Sequence, residues 1–545
     1  MMDWLFTPLA WLFARHPAWR DRVGRAILRY GTHFFVLLAL GCALAGFWDQ
    51  FIHPFSSTLA KTSFDWLMAH RPLPYRADQD IVVLDIDEAS LAGMNGKYGR
   101  WPWPREVLSQ VAAALDAHHA RAIAFDILFA DEDKRNPSSE AAFDQYVQRS
   151  TNSFYPILRL NPTNDSQSEI TLSMLTFASR DPGARPGEID PSRTVALDPP
   201  YFKSIYDSTR MGTHNAYPDA DNVIRWHQNY ERIGGFIIPS LPYRMAEVLH
   251  WPVPRVARSL LNWPRGNTPY PTFSFIQVLN ATLRNDGAYL DRFAGKTVLI
   301  GSTAPSLNDI KATPVDHVCP GIYVLATAVD NTKHGSFLQP LSPVVFWLLE
   351  ILMLIPATWV FVHTELSQVT AKAFVVIPTV LLGVSLLSVS ISYRLADLSA
   401  PTALVLTYFA IATVFEKHQR DHAFGVGVFA PNAIERSRQL QVACLLPTLT
   451  RHRVLALLKA TDQPIRLWRP ADFGLGTQWT TQGWVLWRYA PESTHKDEEY
   501  STANVDGISL QWINVHSGED VPEPFGLAQA IVRAAALSTI PISFL

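Results

Sequence analysis

The chain has 545 residues, with 46 Lys and Arg against 49 Asp and Glu and a formal net charge of −3. This balance excludes a basic platform for nucleic acid. A mean hydropathy near zero excludes a protein embedded entirely in lipid, and the length allows two or three domains with cores of their own.

Residues 1–33 carry Arg15, Arg20, Arg22, Arg25 and Arg29 against Asp3 and Asp21. The apolar run Phe34–Phe47 follows and extends to Phe51, predicting a transmembrane helix over 34–51 entered from the cytoplasm. A cleaved signal peptide is the alternative, but Trp48-Asp49-Gln50-Phe51 offers no small-residue cleavage site. An uncleaved anchor is expected, with Trp4–Phe13 lying along the inner membrane surface.

Residues 52–342 form the expected exported domain. Ile81–Asp87 has the β-branched composition of a buried strand ending in carboxylates. The proline-rich stretch 99–105 leads into a helix from Pro104, on which Val107, Leu108, Val111 and Leu115 recur at helical spacing. A second strand is expected over Ala122–Phe129, and strand, helix, strand at this spacing predicts a βαβ unit with its two strands paired in parallel. A matching half begins with the strand Lys296–Gly301. Its helix opens at Pro320-Gly321, places Ile322, Leu325, Ala326 and Val329 on one face, and ends at Gly335. The polar segment 131–200 between the halves is expected to run over the surface.

Asp85, Asp87, Trp101, Trp103, Arg105 and Asp126 are the candidate ligand-binding residues. Asp85 and Asp87 share a strand face and with Asp126 offer three carboxylates for a cation. The alternative is that they cap helices or pair with Arg100 or Arg105. Trp101 and Trp103 either stack on a ligand or close a core. Gly295-Lys296-Thr297 resembles part of a phosphate-binding loop, but Leu290 occupies the place of its first glycine and a strand follows where a helix is needed.

Residues 343–415 hold three apolar segments, Val344–Val362, Phe374–Tyr393 and Leu398–Phe415, each roughly the 18–20 residues that span a hydrocarbon core. Four crossings in all place both termini in the cytoplasm. Cys42, Cys319 and Cys444 then lie in different compartments, which argues against a disulfide framework. Glu350 is an intramembrane carboxyl, expected to point into the helix bundle with Ser385, Ser388 and Thr407 as hydrogen-bonding candidates.

Residues 416–545 read as a small cytoplasmic α/β module: a helix over Ile434–Leu446, strands over Gly483–Tyr489 and Gly507–Val515, and a closing helix over Gly526–Leu537. Asp472 and Asp506 are isolated, Gly425-Val-Gly427 is a weak phosphate signal, and His418 with His422 reads as a solvated pair. No catalytic residue, metal site or cofactor is expected, so an interaction module is the reading.

Val83-Leu-Asp-Ile-Asp-Glu-Ala-Ser, Gly99-Arg-Trp-Pro-Trp-Pro-Arg and Ala124-Phe-Asp resemble the opening of the second type of CHASE domain (CHASE2), the extracellular sensor of bacterial nucleotide cyclases and histidine kinases. The resemblance continues through Pro218-Asp219-Ala-Asp221-Asn-Val-Ile-Arg225, Pro239-Ser-Leu, Gly295-Lys-Thr-Val-Leu-Ile-Gly-Ser-Thr-Ala-Pro and Ala312-Thr-Pro-Val with Pro320-Gly321, covering about residues 52–340. Asn222 stands where the family usually has Gly, and His214-Asn215 where a small residue is common. The resemblance implies an α/β sensor of βαβ units and mixed sheet, followed by transmembrane helices and a cytoplasmic output, in the bacterial inner membrane. The function it implies is detection of an envelope signal and relay to a cytoplasmic module or partner. The alternative is a non-catalytic scaffold subunit of an envelope complex. Expected partners are the lipid bilayer, an unidentified extracytoplasmic ligand, a cytoplasmic or membrane protein, and a second copy of the chain.

Overall fold

The computed structural model of the protein describes residues 17–133, 136–202, 204–205, 208–266, 268–363 and 369–424, and five strands between 440 and 514. Two units are distinguished. One comprises residues 57–341 with 382–398, the other 1–56, 342–381 and 399–545.

Helix α1 (Pro17–Phe51) belongs to the second unit. The first is an α/β/α sandwich that begins with α2 (Ser57–His70), β1 (Ile81–Asp85), α3 (Glu88–Tyr98), α4 (Arg105–Ala117) and β2 (Ala122–Phe125). It continues through α5 (Pro137–Arg149), β3 (Ser153–Arg159), β4 (Leu197–Asp198), β5 (Met211–Thr213), α6 (Leu241–Leu249), β6 (Thr272–Ser274), α7 (Phe275–Leu283), β7 (Thr297–Gly301) and α8 (Gly321–His334). The seven strands form one mixed sheet. Its spine, β6-β1-β7-β2-β3, is parallel throughout, and β3 is flanked further by parallel β5 and antiparallel β4.

Successive side chains on a strand point to opposite faces, so each central strand feeds two cores. Val82, Leu84, Ile123, Phe125, Val298 and Ile300 pack on one face with Trp103, the apolar stripe of α4, α5 and α7. Ile81, Val83, Ala122, Ala124 and Leu299 pack on the other with α2, α6 and α8. Burial on both faces is why these strands read as continuous apolar runs. Each fully buried Val, Leu or Ile contributes about 1.5–3 kcal/mol. Val107, Leu108, Val111 and Leu115 are buried as their spacing predicts, although α4 starts at Arg105 and Pro104 is its N-cap. Gly335 caps α8 in the left-handed conformation, again as expected.

Two expectations are corrected. β1 and β2 lie in one parallel sheet but do not pair, because β7 enters between them with Val83 opposite Leu299 and Leu299 opposite Ala124. The segment 131–200 is more than a surface excursion, since α5 and β3 supply Phe143, Val147, Phe154, Tyr155 and Ile157 to the two cores. The segment reads as loop because it is polar and rich in Ser, Asn, Pro and Asp, yet Ser153–Arg159 is a strand, with Pro156 accommodated beside Gly212 of β5.

Residues 382–398 fold with this unit, as Val389 and Leu395 enter the core on the α8 face. They include the end of α10 (Val369–Ile391), so the predicted span Phe374–Tyr393 is not uniformly lipid-facing. Arg71, 1 % exposed, fastens this end: its guanidinium donates to Asn262 Oδ1 at 2.7 Å, to the Val389 carbonyl at 3.5 Å and to the Trp263 carbonyl. The last carbonyls of a helix lack intrahelical partners and carry partial negative charge, which suits a cation.

In the second unit α1 packs with α9 (Pro343–His363) and α11 (Ser399–Phe424) around Phe35, Leu354, Phe361, Tyr408 and Phe409. Among the described residues His33–Phe51 is the one helix stretch long and apolar enough to cross a membrane. The apolar stretches Pro343–Trp359, Val376–Ile391 and Ser399–Phe415 are each at most 17 residues. Glu350 is 2 % exposed and turned into the bundle, as expected. It lies against Gly46 of α1, where an added Cβ would stand 2.0 Å from its Oε2. The hydroxyls expected to serve it are engaged elsewhere: Ser388 donates to the Ser385 carbonyl, Ser385 accepts from Leu398 N–H, and Thr407 donates to the Ala403 carbonyl.

The output strands form an antiparallel sheet in the order Arg466–Trp468, Trp484–Tyr489, Leu440–Leu445, Ile508–Asn514, Tyr500–Val505. The helix expected over Ile434–Leu446 is therefore corrected to a strand over Leu440–Leu445, where pairing on both sides overrides local helical periodicity. The expected strands at 483–489 and 507–515 are present. Gly425-Val-Gly427, Asp472, Asp506 and the helix expected over 526–537 lie outside the described residues.

Gly46→Val overfills the notch that holds Glu350, and should lower the melting temperature of the full-length protein in detergent by the equivalent of about 1–3 kcal/mol. Adding Glu350→Ala should recover most of that loss, a coupling readable in a double-mutant cycle.

Candidate ligand cleft

Open parallel sheets bind ligands outside the carboxyl ends of their strands, where loops diverge. Here β1, β7 and β2 end side by side, and the residues just beyond them, Ile86, Ser302 and Asp126, line a cavity of about 610 Å³. Its apolar wall includes Leu158, Ile224, Leu261, Leu307 and the α8 residues Val324, Leu325 and Ala328. Its polar groups are Asp126, His214, Asn215, His227, Asp309 and Lys311, with Trp101 and Trp226 as aromatic surfaces.

The cleft is narrow at its floor because β7 ends in Gly301. A Cβ there would stand 2.7 Å from Ile322 Cδ1 and 3.0 Å from Asp126 Cβ, so only glycine lets α8 and Asp126 approach this closely. Asp309 pairs with Lys311 at 2.9 Å and accepts Gly321 N–H on its main-chain carbonyl at 2.9 Å, beside the amino end of α8. His227 donates to or accepts from Ser240 Oγ at 3.0 Å, and burial pulls its pKa down to about 4, so it lines the cleft as neutral imidazole. His214 Nδ1 lies 3.4 Å from the Ile157 carbonyl.

Asp126 differs from these. No hydrogen bond to its carboxylate is found among the described residues, and burial pushes its pKa up to about 6 against the opposing pull of His214 and Lys311. Asp309 adds to the upward shift.

The three carboxylates expected to meet at one cation are separated. Asp85 is closed off by Thr303, whose N–H and hydroxyl reach it at 2.7 and 2.5 Å; its pKa is nonetheless raised, chiefly by burial. Asp87 caps α3 by accepting Ser90 N–H at 2.7 Å and the Ser274 hydroxyl at 3.0 Å. Neither pairs with Arg105, which holds Glu140 at 2.5 Å and the Asp131 carbonyl, while Arg100 is exposed. The tryptophans divide their roles: Trp101 lines the cleft, whereas Trp103 is 3 % exposed and stacks on Phe275 at 5.5 Å between centroids.

Asp78, Asp330 and His334 also lie close enough together to suit a metal. Their oxygens are already engaged, however: Lys333 and His334 reach Asp78 at 2.6 and 2.7 Å, and Tyr75 and Tyr270 hold Asp330 at 2.9 and 3.0 Å. A lysine ammonium inside the cluster makes it an ion-pair network.

The motif over 218–225 now has a physical meaning. Arg225 binds Asp65 of α2 at 2.6 Å, Asp219 at 3.0 Å and Asp221 at 2.8 Å, tying the motif to the helix that follows α1 in the chain. Asn222 turns the chain with a φ of 64°, a left-handed position in which Asn is the usual substitute for Gly.

The CHASE2 domain family profile matches residues 35–363. The chain belongs to the CHASE2 family. The match is wider than the resemblance read from motifs, since it takes in the apolar half of α1 and all of α9. No curated protein and no solved structure matches the chain. CHASE2 domains are sensory domains of the extracellular type, and α1 is compatible with anchoring this one to a membrane.

His214, Trp226, Asp309 and Lys311 were missed as site residues from the sequence. His214 carried a signal as a departure from the family pattern. Trp226 and Lys311 sit on short strands and Asp309 beside one, and their convergence depends on the order of strands in the main sheet.

Trp103→Ala should cost about 3–5 kcal/mol through the cavity it leaves, measured as a lower melting temperature and faster proteolysis. Trp101→Ala, at the edge of an existing cavity, should leave both near the wild-type values.

Proposed function

We propose that this CHASE2 protein is an integral-membrane receptor. α1 anchors it, residues 52–342 lie outside the cytoplasmic membrane, α9, α10 and α11 complete four crossings, and both termini are cytoplasmic. The cleft takes a small ligand, and residues 416–545 pass the resulting change without catalysis to a partner protein.

The observation that carries this reading is the docking of residues 382–398 into the sensory unit. α10 is a single helix from Val369 to Ile391, and its end is held by Arg71 in the same core that α8 contributes to, while α8 also forms a wall of the cleft. A ligand that shifts α8 therefore acts on packing shared with α10. The basic residues Arg15, Arg20, Arg22, Arg25 and Arg29, ahead of the apolar half of α1, support a cytoplasmic N-terminus.

Reporter fusions after residue 60 and at the C-terminus should report opposite compartments; both on one side would end the four-crossing reading. Ala216→Trp fills part of the cleft. In the native host, cells carrying it should show the transcript profile of a deletion strain, with wild-type protein level and insertion. Full complementation by Ala216→Trp would reject the cleft as the sensing site and favour the scaffold role.

A further inference from the structure

We propose that the ligand of the cleft is a small primary amine in its ammonium form, carried on an aromatic or apolar body. This rests on the cleft being the sensing site. The argument begins with the charges that face the cavity. Asp309 is answered by Lys311 at 2.9 Å and by the partial positive charge at the start of α8, whose Gly321 would bring a Cβ to 2.0 Å from Asp309 Oδ2. His227 is neutral and spent on Ser240. Asp85, at the end of β1, has both oxygens on Thr303. What remains is the Asp126 carboxylate at the floor, with no hydrogen bond among the described residues.

A half-buried carboxylate is costly without donors, and a water-filled cavity supplies them only until a ligand displaces the water. An ammonium brings three donors and the compensating charge. His214 supports the same occupant. With its Nδ1 proton toward the Ile157 carbonyl, its Nε2 is an acceptor, so two acceptors from different strands serve one donor group. An anion would face Asp126 with Lys311 already engaged.

The remaining surface specifies the body of the molecule. Trp226 has the Arg258 guanidinium over its ring at 5.0 Å, so its π face already holds a cation. Trp101 meets Trp103 edge to face at 4.9 Å and lines the cleft beside Pro102, available to an aromatic ring or to the ammonium itself. Ile86, Leu158, Ile224 and Leu325 close around it. About 610 Å³ accommodates a small arylalkylamine and is within the size range of small-molecule pockets.

The sign of the pH dependence follows. Asp126 must be ionised to hold the ammonium, and its pKa without ligand is about 6. Binding is therefore full above that value and declines below it. His214, Asp309 and Lys311 face the same carboxylate. From Asp126 alone, affinity at pH 5 should be about tenfold lower than at pH 7.5, because only about a tenth of the carboxyl is then ionised.

The test is calorimetric titration of the full-length protein in lipid nanodiscs with three matched probes: phenethylamine, neutral 2-phenylethanol and anionic 3-phenylpropanoate. Phenethylamine should bind at least tenfold more tightly than either of the others at pH 7.5, and about tenfold more weakly at pH 5. Asp126→Asn should abolish the preference for the amine while the melting temperature holds, and Trp101→Leu should weaken all aromatic probes. Equal or tighter binding of the alcohol or the carboxylate overturns the proposal, as does amine binding that Asp126→Asn leaves intact, or no binding of any probe. If the alcohol or the carboxylate binds and Ala216→Trp removes that binding, the cleft survives as a ligand site and only the ammonium is rejected.

Discussion

The pairing of β7 between β1 and β2 is the constraint from which the rest of the sensory unit follows. A strand with a neighbour on each side and helices on both faces has nowhere to expose its side chains, so Thr297–Gly301 is buried at every position. Its placement sets the ends of three parallel strands side by side and makes the loops beyond them diverge. Those loops carry Ile86, Asp126 and Ser302, and the cleft is the space they leave. Gly301 sets its depth, because any side chain there would push α8 away from Asp126.

Several buried charges of the unit are answered by hydrogen-bond partners, although Asp116 Oδ1 and the Nε atoms of Arg71 and Arg244 have none. Arg225 is satisfied by three aspartates, Arg159 by Asp165 and Glu231, Arg71 by carbonyls and an asparagine, and Asp330 by two tyrosines. Each arrangement recovers the cost of removing a charge from water by giving it hydrogen-bond partners. The Asp126 carboxylate has no hydrogen bond among the described residues, and it lies in a cavity. A carboxylate without donors beside a cavity suits a partner that brings them. Glu350 follows a related logic in the helical unit: Gly46 leaves room for its carboxyl, so a costly side chain is set between helices.

Arg71 and Arg225 each fasten a helix within the sensory unit. Arg225 holds α2 through Asp65, and Arg71 holds the end of α10. Hydrogen-bonded contacts of this kind have discrete geometries and do not stretch gradually.

The sequence by itself determined the elements whose character is local. The β-branched runs at 81 and 297, the helical stripe from Val107 to Leu115 and the left-handed stop at Gly335 depend on residues within a few positions of one another, and all are present. The CHASE2 motifs were legible for the same reason, being short and ordered along the chain. It also offered the right residues for the cleft, Asp126 and Trp101, but in company with Asp85, Asp87, Trp103 and Arg105, which serve a turn, a helix cap, a core and an ion pair. Only the tertiary structure separated them. The order of β6, β1, β7 and β2 is fixed by pairings between residues 175 to 216 positions apart, and two side chains on neighbouring strands share a site only when their register and the gap between them agree. The Ser, Asn, Pro and Asp content of 131–200 hid β3, which becomes a strand by pairing with β2 and β5. Leu440–Leu445 took a strand because partners on both sides offered more hydrogen bonds than its own helical spacing promised. Local composition fixes what a segment is suited to become; long-range pairing decides which groups are left facing one another, and so where Asp126 stands without a partner.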